Sequence, residues 1–163
     1  MISTLVTRRA VLAAALVSVS ALARAAEAKA DRIIVLKSQR RMLLCREGAI
    51  IASYAIRLGE NPVGPKVFQG DGRTPEGEYA IDWRTRATVF HLALHISYPQ
   101  PQNRARAAKY GLPAGGGIFI HGTPGTGRRF DRDWTDGCIA VSNVAIEEIW
   151  RAVDNGTPIE IRP

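Results

Sequence analysis

Short runs in which apolar and polar residues alternate dominate the chain after residue 30, and they predict strands. DRIIVLK and RMLLCRE flank a turn at SQR, and AIIASYAIRLG follows a turn at Glu47-Gly48. In TVFHLALHISY the larger apolar side chains occupy every second position, and His91, Ala93, His95 and Ser97 fall between them. Successive side chains of a strand point to opposite faces, so one face of this strand is predicted to be buried.

Three further strands are predicted: EYAIDWRT, IFIHG and TPIEIRP. In the first, Tyr79, Ile81 and Trp83 are expected on one face; the second ends at His121. Two Gly- and Pro-rich stretches, 60–77 and 99–117, predict long loops, the second with a helical turn around Arg104 to Lys109.

One segment, SNVAIEEIWRAVDNG, has the periodicity of an amphipathic helix. Ile146, Ile149, Trp150 and Val153 recur at helical spacing, with Ser142 or Asn143 as the N-cap and Asn155-Gly156 at the end. Many strands and one clear helix in the C-terminal half predict a mainly β, largely antiparallel domain.

The first 26 residues have the order of an export signal. A basic pair, Arg8-Arg9, precedes an Ala-rich apolar stretch and small residues of Ala-x-Ala type. The pair fits an ordinary secretion signal and also a twin-arginine signal. We therefore expect a signal peptide over 1–26, one domain over 27–163, and a location in the periplasm or cell envelope.

Charge and composition narrow the classes of partner. The 163-residue chain has a net charge of +7, which falls to +4 without the signal because that segment carries three arginines and no acid. A mild excess of positive charge suits an anionic envelope polymer. The basic residues are too scattered to predict nucleic-acid binding, and no run of about 20 apolar residues offers a strong transmembrane helix.

Cys138 and His121 carry the candidate chemistry. A thiol nucleophile needs a base because the ordinary pKa of cysteine is about 8.5, and His121 lies 17 residues before Cys138. Glycines in between allow the chain to turn back, and Gly137 lets backbone N–H groups approach an oxyanion. On these residues alone, a buried structural cysteine is the more frequent interpretation.

Other uses of the cysteines stay open at this point. Cys45 and Cys138 lie 93 residues apart and could pair in a disulfide of an exported protein. His91, His95 and His121 with a cysteine could supply four zinc ligands, but their spacings match no standard zinc site. We predict no metal, and we interpret Cys45 as an ordinary strand residue.

A family resemblance joins these features. IFIHG and, 17 residues after its histidine, the cysteine of TDGCIAVSN resemble the catalytic signature of the YkuD-type L,D-transpeptidases, in which a histidine precedes Ser/Thr-x-Gly-Cys. Upstream, NPVGPKVFQGDGRTPEGEYAI and HISYPQP also resemble that family, so the likeness covers about residues 31–163. Two positions depart from it: Asp136 stands where many relatives carry His, and Ala140 where many carry Arg.

The resemblance implies a β-sandwich-like catalytic domain and a cysteine acyl transferase that acts on peptidoglycan stem peptides. Cys138 would attack the carbonyl of the third stem residue, a diamino acid, and form a thioester with release of the terminal D-Ala. His121 would serve as base and then acid, and the N–H groups of Gly137 and Cys138 would bind the oxyanion. No metal or organic cofactor is needed.

The acceptor is left open. An amine from a neighbouring stem or a wall-linked protein gives transfer, whereas water gives hydrolysis, for example the release of proteins from peptidoglycan. A non-catalytic wall-binding module is a third alternative. We expect a monomer.

Four more residues have candidate roles at this site. Thr135 is expected to shape the turn before the cysteine through its hydroxyl. His95, Tyr98 and Asp136 are predicted substrate contacts, although a solvated strand face, a core aromatic and a solvated loop acid are competing interpretations.

Overall fold

A computed structural model describes residues 29–125 and 131–163 of the chain. The predicted signal peptide, residues 1–26, lies outside the described residues, so its role stays a prediction. Within the described ranges, no helix has the length and apolar character required to cross a membrane.

Eight strands form one sheet in the order β3-β2-β1-β8-β4-β5-β6-β7. Their bounds are β1 (Arg32–Leu36), β2 (Arg41–Arg46), β3 (Ala49–Ala55), β4 (Gly77–Thr88), β5 (His91–Ile96), β6 (Phe119–His121), β7 (Ile139–Ala140) and β8 (Pro158–Arg162). The predicted mainly β class is confirmed, but the sheet is mixed. The last strand, β8, pairs parallel to β1, and β6 pairs parallel to β7, while the other neighbours are antiparallel.

The long strand β4 joins the two halves of the sheet. Its first residues pair with β8, and its remainder pairs with β5. Both halves contribute to one apolar core, with Ile33 and Leu44 from one half and Leu94 and Ile120 from the other. Ile146 of the C-terminal helix packs in the same core.

A bulge in β4 corrects one sequence-based expectation. Ile81 pairs with Ile96, but Trp83 pairs with His95, so two steps along β4 match one step along β5. This extra residue turns Trp83 away from the face of Tyr79 and Ile81, because a shift of one position reverses the side of every following side chain. Trp83 is 44% exposed, whereas Ile81 is fully buried.

The structure contains two helices in its described part, α1 (Pro101–Ala108) and α2 (Asn143–Ala152). Ser142 caps α2 as predicted, with its hydroxyl accepting from the N–H of Ala145 at 3.1 Å. The predicted end at Asn155-Gly156 is wrong: the helix ends at Ala152, and Val153 already has an extended backbone with φ of −114° and ψ of 125°.

The polar helix α1 is longer than the helical turn expected there. It has no apolar stripe, since only Asn103 and Ala107 are buried. Its start is fixed by Pro101 in the first turn and by the Asn103 side chain, which accepts from the N–H of Gln100 at 2.9 Å.

A buried lysine ties the first strand to the long loop 60–76. Lys37 is 2% exposed, and its ammonium donates to the carbonyls of Gly64 (2.7 Å) and Thr74 (3.1 Å) and to the carboxylate of Glu76 (2.7 Å). Burial lowers the pKa of Lys37, and the contact with Glu76 opposes that shift. All three ammonium protons thus have acceptors, which is what makes a buried charge tolerable.

Replacing Lys37 by Met should destabilise the fold by about 3–5 kcal/mol, because Glu76 and two carbonyls lose their buried donor. The free energy of unfolding in urea measures this effect.

Lys29→Met is the matched control, since Lys29 forms an exposed ion pair with Asp154 at 2.8 Å. Exposed pairs contribute at most about 1 kcal/mol. Equal losses in the two variants would contradict the structural role assigned to Lys37.

Candidate active site

The floor of the site is one face of strands β4, β5 and β6. Trp83 pairs with His95, and His95 pairs with Phe119. In the next row, Ala93 pairs with His121, and His121 pairs with Ala140 of β7. The strand alternation that buries Leu92, Leu94 and Ile120 on one face therefore places this second set of side chains on the other face.

Cys138 is positioned by the segment that follows β3. Trp134 and Thr135 donate their N–H groups to the carbonyl of Leu58 at 3.1 Å each, and the N–H of Glu60 donates to the carbonyl of Thr135 at 3.0 Å. The carboxylate of Asp133 accepts from the N–H of Leu58 at 2.9 Å. Backbone contacts on this side thus fix the chain just before the cysteine.

Glycine is required directly before Cys138. Gly137 has φ of +129°, and a Cβ at this position would lie 2.6 Å from the carbonyl oxygen of Arg73. A Cβ on Gly59 would meet the oxygen of Gly72 at 2.1 Å and lie 3.2 Å from the Cα of Gly137. Three backbone segments therefore meet at distances that side chains would forbid.

The sulfur of Cys138 faces backbone groups of the neighbouring chain segment. It accepts from the N–H of Phe119 at 3.4 Å and donates to the carbonyl of Gly117 at 3.5 Å. Burial raises the pKa of the Cys138 thiol; the N–H of Phe119 acts in the opposite direction, and the charge of Asp136 adds to the rise. The resting group is therefore a thiol at neutral pH.

His121 is 4% exposed and ends β6. Its Nδ1 contacts the carbonyl oxygen of Gly122 at 2.6 Å, so Nδ1 carries the proton and Nε2 keeps the lone pair. The rings of Phe90 and Trp134 lie 4.5 and 5.7 Å from the imidazole. Burial lowers the pKa of His121, and the contact with Gly122 only partly offsets this effect.

The hydroxyl of Thr135 organises the turn that precedes Cys138. It accepts from the N–H of Gly137 at 3.2 Å and donates to the carbonyl of Cys138 at 2.7 Å. The N–H of Gly137, which we expected to bind an oxyanion, is therefore occupied in this conformation. The N–H of Cys138 is the other donor of the predicted pair.

Cys138 and His121 line the same cleft, which has a volume of about 970 Å³. Its walls are largely apolar and aromatic, and its charged carboxylates are those of Glu60 and Asp136. The lining residues in the described part of the chain are Glu60, Trp83, Thr85, Thr88, Val89, Phe90, Ala93, Gly117, Phe119, His121, Pro124, Trp134, Thr135, Asp136 and Cys138. No lysine or arginine is among them.

Of the three predicted substrate contacts, only Asp136 is among the described residues that line the cleft. Asp136 is exposed and lines the cleft. Tyr98 is 2% exposed in the core, where its hydroxyl donates to the carbonyl of Ala114 at 3.0 Å and burial raises its pKa to about 12. It does not line the cleft, which favours the core interpretation over a substrate contact.

The other histidines lie outside the lining of the cleft. Nδ1 of His95 contacts the carboxylate of Asp82 at 2.7 Å, and the ring stacks on Trp83 with a centroid distance of 4.9 Å. His91 contacts Glu147 at 2.9 Å. Across residues 29–125 and 131–163, no three His, Cys, Asp or Glu side chains are arranged to hold a metal ion.

Both cysteines are free, and Cys45 is buried in β2. The disulfide alternative therefore does not describe this structure.

Sequence reasoning missed the aromatic side chains that build the cleft. Phe90 and Phe119 were given no role at the site, yet the ring of Phe90 packs on His121 and the backbone of Phe119 supplies its N–H to Cys138. Their role depends on which strands become neighbours, which a local pattern does not reveal.

Comparisons with known proteins identify the family of this chain and proteins with a similar fold. Residues 30–161 match the YkuD family model, described as the L,D-transpeptidase catalytic domain. The chain is 29% identical over 109 residues to "Putative L,D-transpeptidase YafK" of Escherichia coli K12, and this match covers 64% of the chain and 37% of that protein.

Two solved structures are informative. The helical cell shape determining protein Pgp2 of Campylobacter jejuni is 26% identical, with a TM-score of 0.64, over 80% of this chain and 46% of that one. L,D-transpeptidase 1 of Mycobacterium tuberculosis, at 16% identity, shares the fold with a TM-score of 0.52 over 81% of this chain and 60% of that one. The chain thus spans less than half the length of YafK and Pgp2. Since the family model spans nearly all of the described residues, the chain belongs to the YkuD family of L,D-transpeptidase catalytic domains.

Proposed function

We propose that the protein is a cysteine acyl transferase that acts on peptidoglycan stem peptides through a thioester on Cys138. The observation that carries this proposal is the position of Cys138 and His121 beside neighbouring parallel strands, where both line one cleft. Family membership supplies the substrate class, and the cleft supplies the two groups that the chemistry requires.

The first half of the reaction forms the thioester. The Cys138 sulfur attacks the carbonyl carbon of the third stem residue as its proton passes to Nε2 of His121. We assign the stabilisation of the developing oxyanion to the N–H of Cys138. The carbon–nitrogen bond to the terminal D-Ala then breaks, and His121 returns the proton to the leaving amine.

The second half resolves the thioester. An acceptor amine gives a proton to His121, attacks the acyl carbon and leaves a new amide with the Cys138 thiol restored. Water in place of the amine gives a carboxylic acid, which is the hydrolytic alternative. A non-catalytic wall-binding role would need neither the lone pair on Nε2 of His121 nor the thiol of Cys138.

Burial of the Cys138 thiol and of the His121 imidazole supports a resting state in which both groups are neutral. The raised pKa of Cys138 and the lowered pKa of His121 both disfavour a preformed thiolate and imidazolium. Proton transfer therefore accompanies attack, with His121 as a general base.

The charge of the cleft bears on the choice of acceptor. Asp136 and Glu60 are the charged side chains of the described lining. They lie on the same side of the cleft, because the N–H of Glu60 donates to the carbonyl of Thr135, the residue before Asp136. Two carboxylates attract an ammonium group and repel a carboxylate. This arrangement suits an acceptor that arrives as an ammonium group, and it therefore supports transfer to an amine as the second half of the reaction.

The cellular setting is proposed from sequence and relatives together. We infer export to the periplasm or envelope from residues 1–26. We also infer a contribution to wall structure, because the similar protein Pgp2 is a helical cell shape determining protein. A monomer without metal or organic cofactor suffices for the mechanism.

Purified protein incubated with tetrapeptide muropeptides should release D-Ala, and mass spectrometry of the products tests this. A crosslinked product indicates transfer, and a bare tripeptide indicates hydrolysis. Cys138→Ala should abolish the release, because no other described thiol lines the cleft.

Cys45→Ala is the matched control, since that thiol is buried in β2, and it should retain activity. Release of D-Ala that persists unchanged in Cys138→Ala would falsify the proposed mechanism.

The pH profile tests the environment of His121. Because burial lowers the pKa of this imidazole, it should stay neutral and active below its ordinary pKa, and the acid limb of kcat/KM should lie below about pH 6.5. Phe90→Ala admits water to the ring that Phe90 covers, so the limb should move to higher pH.

Phe68→Ala removes a ring of the same size that packs on Tyr110 instead, and it should leave the limb in place. An unchanged limb in Phe90→Ala, or an equal shift in both variants, would argue against burial as the cause.

A further inference from the structure

An exposed indole lies on the floor of the cleft. Trp83 is 44% exposed and lines the cleft, although its strand neighbours Tyr79 and Ile81 are in the core. The bulge after Ile81 is what moves it to this face. Bulges next to active sites commonly re-aim a side chain in this way.

The indole is held in place from two directions. His95 stacks against it with a centroid distance of 4.9 Å and an angle of 19°, and Phe119 meets it edge-on at 5.2 Å. His95 is itself fixed by the carboxylate of Asp82 at 2.7 Å. A flat ring that is already ordered and still solvent-exposed loses little conformational freedom on binding.

We propose that Trp83 is a platform for a sugar ring of the glycan strand that carries the donor stem peptide. This inference rests on the proposed function. The face of an indole carries partial negative charge, and the C–H groups on one face of a pyranose carry partial positive charge.

The position of Trp83 matches the reach of the stem. Trp83, His95 and Phe119 lie on successive strands and Cys138 directly precedes the next one, so about three strand spacings of ~4.8 Å, or ~14 Å, separate the backbones of Trp83 and Cys138. The indole itself is nearer to Cys138, because its ring lies 5.2 Å from that of Phe119, and three extended stem residues span about 10–11 Å. An extended peptide spans about 3.3–3.6 Å per residue. With the carbonyl of the third stem residue at Cys138, the sugar at the start of the stem falls at about the distance of Trp83.

The decisive experiment compares two donors, a disaccharide-tetrapeptide and the same tetrapeptide without sugar. In Trp83→Ala, kcat/KM for the sugar-bearing donor should fall about five- to tenfold more than kcat/KM for the free tetrapeptide. Trp83→Phe keeps an aromatic face and should give an intermediate ratio. Tyr110→Ala removes an exposed ring outside the cleft and should leave the ratio at its wild-type value.

Equal losses for both donors in Trp83→Ala would overturn the proposal and make Trp83 a wall for the peptide. Full activity of Trp83→Ala on both donors would overturn it as well. If the wild type converts neither donor, the proposed function fails, and the platform is then judged by binding alone.

Binding is measured on the Cys138→Ala protein with the peptide-free disaccharide as the probe. The indole N–H resonance of Trp83, assigned by its loss in Trp83→Phe, should shift on titration while those of Trp134 and Trp150 stay in place. A titration that leaves the Trp83 resonance unmoved contradicts the sugar platform, whatever the enzyme does to stem peptides.

Discussion

The buried ammonium of Lys37 is the contact on which the geometry of the site depends. It holds the carbonyl of Thr74, and the hydroxyl of Thr74 accepts from the N–H of Gly59 at 3.1 Å. One residue earlier, the carbonyl of Arg73 lies where a side chain on Gly137 would have to be. Loop 60–76 thus packs directly against the backbone that carries Cys138. Because this loop forms few regular backbone hydrogen bonds, the ammonium of Lys37 supplies the contacts that hold its shape.

A second buried pair gives the outer part of this loop its shape. Asp71 accepts from Lys66 at 2.8 Å and from the N–H groups of Val67, Phe68 and Arg73. Burial alone would raise the pKa of Asp71, but these donors outweigh it and hold the pKa below its ordinary value. The carboxylate therefore contributes stability above its unfolded pKa, and this contribution is lost as the pH falls through the lower folded value.

The sequence is informative where chemistry is local and silent where it depends on neighbours. Strand alternation predicted β5, the helical stripe predicted α2, and a signature with a spacing of 17 residues identified Cys138 and His121. The end of α2 was predicted too late, because Asn155-Gly156 has the pattern of a helix stop whereas the backbone already becomes extended at Val153. The face of Trp83 was misjudged because a one-residue bulge leaves no mark in composition. The acceptors of Lys37 lie 27 to 39 residues away in the chain, so no local pattern marks this lysine as buried. The burial of Tyr98 likewise follows from its packing against a distant loop.

The net charge of the chain and the charge of its cleft have opposite signs. The chain carries a net charge of +7, and an excess of this sign acts at long range on an anionic polymer. The described lining of the cleft has a negative charge instead, because its charged side chains are those of Asp136 and Glu60 and it includes no lysine or arginine. Burial and, to a smaller extent, the charge of Asp136 raise the pKa of Cys138, which favours a neutral thiol at rest. Under the proposed function, attraction to the polymer and selection of an acceptor amine therefore fall to different surfaces. That division follows from Asp136 and Glu60, the two carboxylates of the described lining.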